Sequence, residues 1–423
     1  MNITLSTPQL HGTIEAIPSK SHAHRLFIAS AFADRPTVIE CRALNRDISA
    51  TIDCLTALGA DIRETERGSY TVIPTTVRHG TETVTLDVGE SGSTLRFMLP
   101  VALAAGAEAS FVCHGRLTER PLSPLYEQLT EHGAMLSEKG SNPFFARGGL
   151  TGGGYELSGS VSSQFVTGLL LALPLVGESS TVTLTGRVES RPYIDITLRV
   201  LRDFGIKVAE RDNTFTVCGR PYVSPGRLAV EGDWSNAAFF LVAGAFSRDG
   251  VTVRGLDMTS PQGDRAIVSL LREFGADVTI YGDCVAVRRA ENVAPTAPID
   301  AADIPDLIPI LSVLAATAKG TTVIKNCTRL RLKESDRLMT ICDTLTSLGA
   351  NVRIEDDSLV IDGTEQLRGG TVSSCNDHRI AMAAAVASIV ADGDVTILGA
   401  EAVEKSYPTF FEEFRSIACD EAK

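Results

Sequence analysis

The sequence predicts a two-domain protein of the mixed α/β (α+β) class, assembled from six copies of one strand–helix unit. Three observations lead there. The chain of 423 residues is longer than one hydrophobic core serves, so at least two domains are expected. An apolar helix end followed by Gly and a β-like run recurs at Leu55–Gly59, Leu129–Gly133, Leu201–Gly205, Leu271–Gly275 and Leu345–Gly349, at intervals of 70 to 74 residues. Between these markers lies a second recurring stretch, apolar on most faces and rich in small residues. A period of this length marks a repeat architecture, in which equivalent points of each unit can converge on one site.

Each element has its local reason. The marker Gly reads as a residue in left-handed conformation just past a helix, with a strand following. A sixth copy is expected at Tyr407–Ala418, where the chain runs out before its strand. The apolar stretches begin near Ser21, Ser93, Ser162, Ser235, Asp306 and Asp377. They read as buried helices opened by capping residues. β-branched runs follow at Thr37, Ser110, Thr181, Val251, Thr321 and Val395, and their alternation predicts half-buried strands. Six units divide as three plus three, with a crossing near Arg227–Asp233. Gly148–Gly154 reads as a loop inside one unit, without the strand–helix context of a dinucleotide site.

Composition excludes several classes. No apolar run approaches the roughly 18 residues of a membrane span, and Met1–Ser6 lacks the basic and apolar regions of a secretion signal. The net charge of −13 disfavours a nucleic-acid surface. Nine scattered cysteines without a C-x-x-C pair fit a reducing cytoplasm and no zinc site.

The residues at helix starts and after strands are of another character. Lys20, Arg25, Arg96, Arg120, Arg191, Lys333, Arg337, Arg379 and Lys405 outnumber Asp47, Asp306, Glu334 and Asp336, in a chain that is acidic overall. With Ser21, Ser93, Ser162, Ser163, Gln164, Ser190, Tyr193 and His378 they describe a cavity for phosphate and carboxylate groups, assisted by helix N-termini. Taken singly, each has a plain structural reading: a cap, a surface ion pair, a buried histidine.

In order, the segments Pro18–Arg25, Gly89–Arg96, Glu119–Leu122, Gly159–Gln164, Ser190–Tyr193, Gly232–Ser235, Ile304–Asp306, Leu332–Arg337, Asn376–Arg379 and Glu404–Lys405 resemble the motifs of the EPSP synthase (3-phosphoshikimate 1-carboxyvinyltransferase) family. The resemblance runs from residue 18 to 411. It implies the enolpyruvyl transferase fold, with two domains of three β-α-β-α-β-β units each, buried helices under sheets, and the site in the cleft between the domains. Residues 1–18 with 228–423 would form the C-terminal domain and 19–227 the N-terminal one, closing on ligand.

The resemblance also implies transfer of the enolpyruvyl group of phosphoenolpyruvate to shikimate 3-phosphate, by a cytoplasmic monomer using neither metal nor organic cofactor. Shikimate 3-phosphate would be held by Lys20, Ser21, Arg25, Ser162, Ser163, Gln164, Ser190, Tyr193, Asp306 and Lys333. Phosphoenolpyruvate would be held by Lys20, Gly92, Arg120, Gln164, Arg337, His378, Arg379 and Lys405. Asp306 fits the general base, with Glu334 and Lys20 as candidates for the acid; an acid role requires Glu334 to be desolvated. Glu90 and Phe97 depart from the family pattern, which has Asn and Pro there in many members, and they leave sensitivity to glyphosate open. The sister UDP-N-acetylglucosamine enolpyruvyltransferases usually carry a loop Cys that segment 116–121 lacks, Cys113 lying before it. A non-catalytic anion-binding or nucleic-acid-binding relative is opposed by the net charge and by the intact Asp306, Glu334 and Lys405.

Overall fold

A computed structural model of the chain describes residues 1–6, 9–76 and 82–419. It contains two compact units, Pro18–Val230 and Met1–Ile17 with Glu231–Lys423.

The first unit holds three four-stranded sheets of one design. Their strand orders are Arg227–Ala229, Thr37–Glu40, Ser69–Ile73, Asp61–Glu66; then Thr83–Gly89, Glu108–Cys113, Phe144–Gly148, Ala134–Leu136; then Gly154–Ser158, Ser180–Thr185, Thr214–Val217, Val208–Arg211. In each, the first pair is parallel and the other two antiparallel. In the second and third sheets the chain thus makes a β-α-β crossover and then a hairpin, whereas in the first the parallel partner Arg227–Ala229 comes from the far end of the unit. Beneath the sheets lie the helices Lys20–Ala31, Gly92–Ala104 and Ser163–Val176. Small residues let them approach: a Cβ on Gly168 would stand 2.2 Å from the Arg96 carbonyl oxygen. The amphipathic helices Arg46–Ala57, Leu125–Glu131 and Arg191–Asp203 end two residues before their marker glycines, which have φ of +93°, +103° and +77°.

The second unit repeats the pattern with the sheets Gly12–Glu15, Val251–Arg254, Cys284–Arg288, Asp277–Tyr281 and Ile299–Asp300, Thr321–Lys325, Ser358–Asp362, Asn351–Glu355. Its last sheet has three strands, Gly370–Ser373, Val395–Leu398 and Asn2–Leu5, the last antiparallel to its neighbour. The buried helices are Trp234–Phe246, Ile308–Ala316 and His378–Ala387.

Three local expectations are corrected. The sixth copy does reach a strand, Ala418–Cys419, paired with Gln9–Leu10. The Gly148–Gly154 segment joins the last strand of one sheet's hairpin to the first strand of the next sheet, so it lies between repeats. Side chains of Ser19, Ser91, Ser162, Asp233 and Asp377 cap five buried helices, but Leu307 precedes the sixth and offers no side-chain cap. Asp306, one residue earlier, is engaged by three cations instead. No helix among the described residues is long and apolar enough to cross a membrane.

Candidate active site

In the first unit, the Ser19 hydroxyl caps the helix that Lys20 opens. The Lys20 ammonium donates to Asp47 Oδ2 at 2.9 Å. Asp47 stands in the first turn of Arg46–Ala57, whose Asn45 cap accepts from Ile48 N. A carboxylate at a helix start is favoured there, so Asp47 is a fixed counter-charge that holds Lys20 in place.

Arg25, five residues further along that helix, is buried among neighbouring helices. It donates to Thr197 Oγ1 at 2.8 Å, to Thr167 Oγ1 and the Tyr193 carbonyl at 3.1 Å, and to the Ser21 carbonyl. Its guanidinium lies 5.0 Å from the centre of the Phe97 ring, which also makes a T-shaped contact with His24. Phe97 is therefore a wall for Arg25. These contacts tie Arg25, Ser21 and Tyr193 together across three helices. Ser190 sits beside them in left-handed conformation, φ 55°, at the start of Arg191–Asp203. Arg191 points elsewhere, into ion pairs with Asp195 and Glu210, and serves the surface of its own unit.

Gln164 occupies the first turn of Ser163–Val176, where its backbone N–H donates to Ser162 Oγ. Its side-chain oxygen accepts from Arg96 Nη1 at 2.8 Å, and its amide nitrogen donates to Ser93 Oγ at 2.9 Å. Arg96 also donates to the Pro121 carbonyl at 3.0 Å, so one buried guanidinium orients both Gln164 and the loop that carries Arg120. Arg120 Nε is buried and has no hydrogen-bond partner among the described residues. Gly92 opens the helix Gly92–Ala104 directly against this group: a Cβ there would stand 2.5 Å from Arg120 Nη1 and 2.6 Å from Arg96 Nη1. Glu90 folds back over Gly115, where a Cβ would meet its carboxyl carbon at 2.8 Å.

In the second unit, charge is concentrated around Asp306. Its Oδ1 accepts from Arg337 Nη1 at 2.7 Å and from Lys333 Nζ at 3.3 Å, and its Oδ2 from Arg379 Nη2 at 3.1 Å. Arg337 is 1% exposed and reaches two further carboxylates, Asp377 at 2.8 Å and Glu334 at 2.6 Å. Its raised pKa follows from the Coulombic pull of Asp377, Glu334 and Asp306, which outweighs burial. Burial dominates at Lys333 and draws its ammonium down to about 8, although Asp306 acts in the opposite direction. Lys405 donates to the Asn376 carbonyl at 2.6 Å, and His378, buried, opens the helix that Asp377 caps.

Two expectations change here. The Glu334–Arg337 pair is no ordinary surface bridge, because Arg337 is buried; Asp336 takes the surface role, pairing with Arg331 and capping Met339 N. Glu334 is also not the desolvated acid anticipated: its side chain is 20% exposed and ion-paired, which stabilises the carboxylate form. Asp377, which accepts from Arg337 Nε, and Asp264, buried and acted on by Asp306 and Arg379, are acids that the sequence does not single out. Asp377 could have been found as the one acid inside the Asn376–Arg379 motif; Asp264 has no comparable signal.

Both clusters therefore offer fixed cations at helix starts, with one carboxylate, Asp306, held by three of them. The pattern of the family described as EPSP synthase (3-phosphoshikimate 1-carboxyvinyltransferase) matches residues 6–414. The chain belongs to the EPSP synthase family. Membership makes it an enzyme of the transferase class. Relatives named 3-phosphoshikimate 1-carboxyvinyltransferase include those of Clostridium kluyveri, 39% identical over 98% of this chain and 97% of the relative. That of Clostridium novyi is 38% identical with the same coverage, and that of Methanocorpusculum labreanum is 35% identical over 99% of both chains. A solved EPSP synthase from Acinetobacter baumannii superposes with a TM-score of 0.81 at 27% identity, covering 99% of this chain and 98% of its own. The enolpyruvyl transferase NikO of Streptomyces tendae, at 16% identity and a TM-score of 0.77 over 99% and 98% of the two chains, shares the fold.

Proposed function

We propose that this chain transfers the enolpyruvyl group of phosphoenolpyruvate to the 5-hydroxyl of shikimate 3-phosphate, giving 5-enolpyruvylshikimate 3-phosphate and inorganic phosphate in the shikimate pathway. The observation that carries this reading is Asp306, a carboxylate with both oxygens fixed by Arg337, Lys333 and Arg379. Such a group is a base held in one orientation, beside cations suited to phosphate and carboxylate.

The chemistry requires a proton at the methylene carbon of phosphoenolpyruvate, removal of one from the attacking hydroxyl and, as phosphate leaves the adduct, removal of one from the new methyl group to restore the double bond. Asp306 takes the hydroxyl proton and later helps remove the methyl proton. Lys20 or Glu334 supplies the proton to the methylene carbon. At rest Arg337 neutralises Glu334; an incoming phosphoenolpyruvate anion that takes over that edge of the guanidinium frees Glu334 to gain a proton. Arg120, Arg337, Arg379 and Lys405, with Gly92, Gln164 and His378 beside them, hold phosphoenolpyruvate and stabilise the departing phosphate. Lys20, Ser21, Arg25, Ser162, Ser163, Gln164, Ser190, Tyr193, Asp306 and Lys333 hold shikimate 3-phosphate, Arg25 acting mainly by fixing Ser21 and Tyr193. The two units correspond on this reading to the family's domains. The enzyme works as a cytoplasmic monomer; the free state of the cysteines from Cys41 to Cys375 agrees with a reducing compartment.

Phosphate release is the test. The purified chain is mixed with phosphoenolpyruvate and either shikimate 3-phosphate or UDP-N-acetylglucosamine. Release is expected with shikimate 3-phosphate alone; release with the nucleotide sugar alone, or with neither, refutes the reading.

A further inference from the structure

One carboxyl near Asp306 has no part in the chemistry above. Asp264 lies in the short 3-10 turn Gly263–Ala266 and is 2% exposed. The turn is docked on the start of the buried helix Trp234–Phe246. Gln262 accepts from Trp234 N at 3.1 Å and donates to the Gly232 carbonyl at 2.8 Å, and Trp234 Nε1 donates to the Asp257 carbonyl at 3.2 Å. In this frame Asp264 Oδ2 accepts a hydrogen bond from Ser235 Oγ, while Oδ1 is buried with no partner among the described residues.

The charged groups acting on Asp264 are Asp306, Arg379 and Asp233. Asp233 is the cap of the helix and is engaged with Asn236 N at 2.8 Å. On its own turn, Arg265 donates to the Met258 carbonyl. Arg379 thus acts on two acids, holding Asp306 directly and attracting Asp264 through space. A buried carboxylate with one oxygen lacking a donor is costly, and the neutral acid much less so. Burial first, then the negative charge of Asp306, push Asp264 up to about 7; Arg379 and the Ser235 hydroxyl oppose them.

We propose that Asp264 is a positioning residue for the transfer reaction: neutral while the site takes up its anions, and once ionised a competitor with Asp306 for Arg379 that repels the incoming phosphate. The proposal rests on the functional reading above. It makes Asp264 a built-in limit on anion affinity at the alkaline side of neutrality. The two substrates bring carboxylate and phosphate charge to Arg379, and an adjacent neutral acid leaves that cation undivided for them.

The test compares wild type with Asp264→Asn, which keeps the shape of the neutral acid and the Ser235 contact. The KM for phosphoenolpyruvate is measured between about pH 6 and 9, where a carboxyl titrating near neutrality crosses from acid to anion. Lys333 titrates in both proteins, so the wild-type to variant ratio isolates Asp264. That ratio is expected to rise about tenfold across the range, the linkage limit for a coupling of one pH unit. Ser235→Ala removes the one donor to the ionised form among the described residues and should move the rise to higher pH, which a purely structural role would not do. Independently of turnover, carbon NMR of the aspartate carboxyls should contain one group titrating between about pH 6 and 8, missing in Asp264→Asn. A constant KM ratio, or no such carboxyl in the wild-type protein, overturns the proposal. Should the wild-type chain release no phosphate at all, the functional reading fails, while the NMR titration still decides whether Asp264 holds its proton.

Discussion

Replacing Gly92 by Ala tests the placement of Arg120 with a single methyl group. The new Cβ would stand 2.5 Å from Arg120 Nη1, 2.9 Å from Arg120 Cζ and 2.6 Å from Arg96 Nη1. Ordinary contact begins near 3.4 Å, so Arg120 must withdraw by roughly 1 Å, the more readily because Arg96 is tied to Gln164 and Pro121. A charge-assisted hydrogen bond of about 2.8 Å stretched by that amount is lost. The loss is about 1.5–3 kcal/mol, which corresponds to roughly 10- to 100-fold in the KM for phosphoenolpyruvate. Gly92 is not among the residues at positive φ, and Ala favours a helix over Gly, so stability should hold. The assay is steady-state phosphate release with phosphoenolpyruvate varied and shikimate 3-phosphate saturating, beside a thermal melt. An unchanged KM with an unchanged melt would remove Arg120 from the phosphoenolpyruvate site.

Asp306→Asn keeps the shape of the side chain and removes the base; kcat should fall by about 10²–10⁴ in the same phosphate assay, and a rate near wild type would exclude Asp306 as base. Lys333, at about 8 in the free protein, should lose affinity for shikimate 3-phosphate as pH rises through that value, measured by calorimetric titration. Because its folded value lies below the usual 10.5, the unfolded chain binds the extra proton between the two. The penalty of the buried ammonium is full below 8 and is relieved as pH rises toward 10.5, so denaturant titrations of Lys333→Met should lack a stability increment that wild type gains there. Arg25→Lys cannot reach Thr197, Thr167, Tyr193 and Ser21 together; it should cost about 2–4 kcal/mol in urea unfolding, and a cost near zero would refute its tying role.

Much of this architecture is written locally. A Gly past a helix end needs only its own neighbours to adopt φ near +80°, and all five marker glycines do so, from Gly59 to Gly349. The buried helices are equally legible, since apolarity on every face leaves no exposed alternative. What stayed hidden depends on partners distant in sequence. Asp306, expected to open a helix, is instead held by Arg337, Lys333 and Arg379, and the helix starts after Leu307, whose side chain has no acceptor to cap it. Arg191 sits within a motif yet turns to Glu210 on a neighbouring strand. The acid expectation for Glu334 could not anticipate that Arg337 would be buried beside it. Asp264 acquires its character only when Ser235 and Asp306 are brought to it across the fold.

The pairing of Asn2–Leu5 with Val395–Leu398, and of Gly12–Glu15 with Val251–Arg254, has a consequence for synthesis on the ribosome. Residues Pro18–Val230 form an uninterrupted insertion and can fold as soon as they emerge. The first strands must wait: Gly12–Glu15 for a partner more than two hundred residues downstream, Asn2–Leu5 for one nearly four hundred downstream. At elongation rates of about 5–20 residues per second, these intervals last from roughly ten seconds to more than a minute. During them an unpaired apolar edge is exposed to other nascent chains. The strands Asn2–Leu5, Gln9–Leu10 and Gly12–Glu15 are thus the place where the folding of this molecule is open to chaperone capture, and the last pairing to close is that of Gln9–Leu10 with Ala418–Cys419.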